Sequence, residues 1–215
     1  MQLGPHPVDR HGRARKISLT IVALVCSAAL APLSAQVDAT PSSDSALTRA
    51  IGGRSGALRA LFVHPAEAPR FEVGALARLF GDSTHRTPGV YSAQDSVTQK
   101  RFALISLIPF SAKQGSRIGT YNIGFWPGER RGRGEQPTGF VEVTIENQET
   151  HVSENFRLKD FLTHDQQRVW PKYLVLREQL VEKLELVIHE LRSMGVRNPR
   201  MVVMSGFRTP QYNAQ

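Results

Sequence analysis

Cysteine is almost missing: Cys26 stands alone, which excludes an intramolecular disulfide framework and a thiolate metal cluster. Long apolar runs are missing too. The stretch Leu19–Leu30 stops at twelve residues, short of the eighteen or so that a clean membrane span needs. Acidic residues are the minority, 19 against 27 Lys and Arg, for a net charge of +8. That excess forms no basic helical stripe with a reading motif, so no nucleic-acid partner is expected. A G-x-S-x-G elbow and a G-x-x-x-x-G-K-[ST] phosphate loop are both absent. What is present suffices for a packed core: 40% hydrophobic and 21% charged residues over a 215-residue chain, the size of one medium domain or two small ones.

The charge is unevenly placed. Residues 1–18 carry Arg10, Arg13, Arg15 and Lys16 against Asp9 alone. The apolar stretch LTIVALVCSAAL follows, then Pro32 and small residues up to Ala35. A positive region, a short apolar core and a small-residue site describe a secretory signal peptide over 1–35. Cleavage after Ala35 or Ala39 fits, and an uncleaved anchor is the alternative. The expectation is an exported protein of the periplasm or cell envelope, with no membrane span in the mature chain. Loss of residues 1–35 leaves a net +5 on 180 residues and no cysteine. That charge attracts acidic polymers, cell-wall material included.

Three regions follow. Residues 36–56, rich in Ser, Thr, Asp and Gly, read as a flexible tether. Residues 57–150 read mainly as strands: ALFV at 60–63, FALISLI at 102–108, YNIGF at 121–125, and Val141, Val143 and Ile145 alternating with polar neighbours. This predicts a small sandwich- or barrel-like β module. The densest basic run, Arg130-Arg131-Gly132-Arg133-Gly134, sits near Pro127 and reads as a solvated loop. Residues 151–215 change period. Leu176, Leu180, Leu184, Val187 and Leu191, with Val181 and Ile188, form a helical stripe that Gly195 should cap. Arg200–Met204 read as a short buried strand, and Ser205-Gly206-Phe207-Arg208-Thr209-Pro210-Gln211-Tyr212-Asn213 follows at once.

This last segment resembles the S-G-[YF]-R-[ST]-P-x-x-N signature of the M15-type zinc peptidases, the D-alanyl-D-alanine carboxypeptidase-like family that trims peptidoglycan. The helix LREQLVEKLELVIHELRSMG and the apolar run before the signature match the opening of that domain. The likeness covers about residues 170–215. It implies an α+β fold in which the β module precedes the first helix-strand unit of a zinc peptidase domain. It also implies Zn2+ as cofactor and peptidoglycan stem peptides as substrate. Arg208 is then the catalytic candidate, clamping a substrate carboxylate or an oxyanion at the zinc cleft, as a planar guanidinium fork is suited to do. Ser205, Tyr212 and Asn213 are the candidate substrate-binding residues, and Thr209, Tyr212 and Asn213 are expected to shape the loop rather than do chemistry, with Asn213 capping or bracing the following turn. The family's ligands lie further on, in S-x-H-x-x-G-x-A-x-D and a later His. No position here matches them, and the expectation is a fragment of a longer enzyme, inactive as it stands. The other reading is a non-catalytic cell-envelope binding module.

The residues present offer no substitute site. Of seven histidines, His6 and His11 leave with the signal peptide. His189-Glu190 begins H-E-x-x-H, but Ser193 fills the final position. The side chains of His164 and Asp165, being adjacent, are expected to diverge. His64, His85 and His151 stand apart in the sequence. Ser205 has no paired base in view, and its hydroxyl is expected to satisfy backbone groups at the end of the strand.

Overall fold

The structure, a computed structural model, describes residues 51–66, 79–81, 84–96 and 98–214. The signal segment and tether residues 36–50 lie outside them. The fold is mixed α+β, with small sheets and few helices. Strand β1 (Ala60–Val63) pairs in parallel with β3 (Arg101–Ser106), and β2 (Gly89–Gln94) pairs antiparallel on the other side of β3. Strand β3 is central because it is apolar without alternation: Phe102 to Ser106 are all buried, as suits a strand covered on both faces. A second sheet orders β4 (Ile108–Pro109), β7 (Gly139–Val143) and β8 (Lys172–Leu174), all antiparallel. Between them β5 (Arg117–Ile118) and β6 (Tyr121–Asn122) make a short hairpin.

The stretches on either side of residue 150 share one core. Leu58, Ile105, Val141 and Val143 pack with Val152, Phe161, Leu174, Val181 and Ile188 in a single buried cluster. Residues 51–56 also lie on this body: Ile51 is buried beside Leu61 and Phe102, and the Ser55 N–H donates to Glu182.

Helix α1 spans Glu178–Ser193. Its end is as Gly195 foretold. Gly195 sits at φ +87°, its N–H donates to Arg192 O, and the Val196 N–H reaches back to Leu191 O, a Schellman closure. The buried face differs from the expected stripe. Val181, Glu185 and Ile188 are buried, whereas Leu180 and Val187 are 44% and 46% exposed. Val181, Leu184 and Ile188 face the core as the stripe requires, and the buried face is shifted towards Glu185, whose carboxylate accepts from the backbone N–H and side-chain amide of Asn155. An anion with two such donors is tolerated inside, and its neighbours on the helix must follow it.

Two strand expectations are also corrected. Ile145 does not continue β7. The chain turns at Thr144, which exchanges hydrogen bonds with Asn147, and Ile145 is left 58% exposed. Among the described residues Arg200–Met204 joins no sheet. Met201 and Val203 rest on the core while Val202 and Met204 are each 78% exposed. The run has strand-like alternation with no strand beside it among the described residues, and a strand exists only by pairing.

Candidate functional site

The signature loop, Ser205–Asn213, is held from three directions. From below, Gly206 lies so close to the short 3-10 helix Leu158–Phe161 that a Cβ there would stand 2.6 Å from Phe161 Cα, and the Phe207 N–H donates to Phe161 O at 3.0 Å. Only glycine permits this approach. From one side, Gln211 N–H donates to Ile123 O, and Gly124, at φ +87°, would bring a Cβ within 2.4 Å of Gln211 N. From the other, the fully buried Thr209 hydroxyl donates to Asp165 Oδ2 at 3.3 Å. The same hydroxyl accepts from Tyr212 N–H at 3.0 Å, capping the short helix α2 (Pro210–Asn213) with Pro210 in its first turn. Thr209 therefore braces this turn.

Asp165 is the residue that sequence reasoning passed over. Its carboxylate also receives the Gln166 side-chain amide at 3.2 Å and lies 3.5 Å from the Tyr121 hydroxyl. Gln166 in turn clamps the backbone of Asn122 through both ends of its amide. Below them the buried Lys172 ammonium donates to the carbonyls of Asp165 and Gln166. Burial lowers the Lys172 pKa, and the Asp165 charge partly opposes that. Burial also pushes the Tyr121 hydroxyl well above the usual tyrosine range, with Asp165 acting in the same direction. Asp165 and Thr209 are 44 residues apart, so nothing local in the sequence joins them. His164 does diverge from Asp165: its Nε2 faces Met204 O at 3.2 Å.

Arg208 stands free at the surface of this braced loop. Its Nε donates to Ser205 Oγ at 2.7 Å, and its guanidinium lies 5.7 Å from the centre of the Tyr212 ring. Among the described residues it has no carboxylate partner. Ser205 thus aims the arginine side chain instead of satisfying backbone groups. Beside it, Phe207 stacks on Trp126, centroids 6.3 Å apart and planes 17° apart, and Trp126 packs edge-on to Phe110 and Phe140. Arg208, Phe207, Trp126, Pro210 and Asn213 line a cavity of about 340 Å³. Asn213 is exposed there, and Tyr212 is half-buried beneath Arg208.

No family model matches the chain, and no curated protein or solved structure is significantly similar to it. Chemistry must carry the reading.

The zinc that the signature implies finds no ligand set here: among the described residues no three His, Cys, Asp or Glu side chains gather where a metal ion could be held. His189 is exposed on α1 and His151 is engaged with Arg157 and Ser153 O. Likewise, no helix among the described residues is long and apolar enough to cross a membrane. What the loop does supply is an aimed, unpaired guanidinium at the mouth of an aromatic cavity. Such a fork takes a carboxylate bidentately, the geometry for which arginine is best suited.

Proposed function

We propose that the chain is part of an exported, peptidoglycan-directed hydrolase of the zinc D,D-peptidase type, and that Ser205–Asn213 is its substrate-side wall. Arg208 receives the terminal carboxylate of a stem peptide. Ser205 and Tyr212 hold the guanidinium in place, and Asn213 borders the cavity that takes the last side chains. The single observation that carries this reading is Arg208 itself, exposed, oriented by Ser205, and without an acidic partner among the described residues, on a loop whose sequence resembles the peptidase signature. Export rests on the basic, apolar and small-residue order of the first 35 residues. No catalytic step through zinc follows from the residues described.

Binding tests the substrate half. A peptide ending in D-alanyl-D-alanine should bind the full chain roughly tenfold or more tightly than the same peptide with a C-terminal amide, the scale of a charge-assisted hydrogen-bond pair. Arg208→Ala should erase the difference, and Arg208→Lys should restore it only in part. Equal binding of acid and amide would remove Arg208 from the substrate site. Zinc content and D-alanine release by the product of the complete open reading frame test the hydrolytic half. Binding without either would favour a non-catalytic envelope module.

A further inference from the structure

Adjoining the Arg208 cavity, the same aromatic wall lines a larger one, about 530 Å³, bounded by Phe125, Trp126, Arg130, Arg131, Pro210 and Gln211. Its size is that of sites for small ligands or a few residues of peptide. The two cavities share Phe125, Trp126 and Pro210, so one surface leads from Arg208 to Arg130 and Arg131.

The loop that carries these arginines is built, not merely solvated. Glu129 anchors it: one carboxylate oxygen accepts from the Trp126 N–H at 2.7 Å, and the other pairs with Lys113, whose side chain is 1% exposed. Gly128 and Gly134 cross closely, since a Cβ on Gly128 would stand 2.3 Å from Arg133 O. On this frame the Arg130 guanidinium lies 3.9 Å from the centre of the Phe125 ring. Stacking occupies its face and leaves its edge, with the N–H donors, free. Neither Arg130 nor Arg131 has a carboxylate partner among the described residues, and both are exposed. Two unpaired guanidiniums on a rigid turn, above an indole and a phenyl ring, form a receptor for a carboxylate carried on an organic body.

We infer that this cavity is a second anionic subsite, which binds an acidic side group of a peptide whose chain end lies towards Arg208. The choice of a peptidoglycan stem peptide as that ligand rests on the function proposed above. Its glutamyl residue carries a free α-carboxylate several bonds from the terminal D-alanine, and the joined cavities provide for both.

The test separates the two readings. The probes are L-alanyl-γ-D-glutamyl-L-lysyl-D-alanyl-D-alanine and its counterpart with the glutamyl α-carboxylate converted to an amide, titrated calorimetrically onto the full chain. The acid should bind roughly tenfold more tightly than the amide. Arg130→Ala with Arg131→Ala should abolish that preference, whereas Arg133→Ala, which removes the same kind of charge from the same loop outside the cavity, should preserve it. Arg208→Ala should weaken both probes and leave their ratio unchanged. If parent and Arg130/Arg131 variant treat acid and amide alike, the second subsite does not exist, whatever happens at the chain end. If Arg133→Ala erases the preference as fully as the cavity pair, the effect is diffuse attraction to a basic surface and the proposal is overturned.

Discussion

Residues 194–204 and 205–213 follow one another along the chain and reverse the ordinary relation between polarity and burial. Met194, Val202 and Met204 are 72%, 78% and 78% exposed, while Thr209 is fully buried with its hydroxyl on the Asp165 carboxylate. Apolar character alone did not bring the first stretch inside, because among the described residues most of it has no neighbour to lie against. Hydrogen bonding and close backbone approach seated the second, with Thr209 fully buried and Ser205, Arg208 and Asn213 left at the surface. A polar group is buried at little cost when every donor finds its acceptor, and the result is a loop in one conformation. That is what a site needs and what an apolar segment without a partner strand lacks.

Four variants probe that contrast. The largest effect is expected at Gly206. An alanine there would put a methyl group against Phe161 Cα, and the loop or the 3-10 helix must move, so Gly206→Ala should lower stability by about 3 kcal/mol. Chemical denaturation reads it directly. A change under about 0.5 kcal/mol, the ordinary scale of a surface substitution, would mean that the loop is not seated as described.

Next is Thr209→Val, which keeps the shape and removes the hydroxyl. It deletes the α2 cap and leaves Asp165 short of one donor, for an expected loss of about 2 kcal/mol. Asp165→Asn should cost less, since an amide retains an oxygen for Thr209. If Thr209→Val were neutral, burial rather than hydrogen bonding would hold the loop.

The smallest effect belongs to the apolar stretch. Val202→Ser with Met204→Ser should change stability by less than about 0.5 kcal/mol, because both side chains already face solvent. Thermal unfolding of the double variant checks this. A loss of several kcal/mol would show these residues covered in solution.

Much of the fold can be read from local pattern. The helix at 178–193 announces itself by its 3.6-residue period and its closing glycine, and β1, β3 and the first half of the 141–146 alternation appear where β-rich apolar runs stand. Val181, Leu184 and Ile188 could be read as inward, but that Glu185 joins them could not, because it becomes a buried residue only when Asn155 is folded against it. Strand β8 at Lys172–Leu174 escaped for the same reason: its partner β7 lies some thirty residues earlier. At the site, Ser205–Asn213 stands out as a motif and Arg208 as its charged member. The role of Ser205 as the arginine's brace, and of Thr209 as the cap, needed coordinates.

Composition, charge order and motif by themselves determined that residues 1–35 set a basic stretch before an apolar one, that the body mixes strands with a long helix, and that a glycine-arginine turn follows that helix. These are local properties, set by the period of side chains and by what each residue's backbone permits. Only the tertiary structure decided that Asp165, Gln166, Tyr121 and Lys172 converge beneath that turn, and that Trp126 and the arginines of a distant loop meet it from the side. Contacts between residues far apart along the chain depend on how sheets pair and cores close, and those choices are made by the whole chain at once.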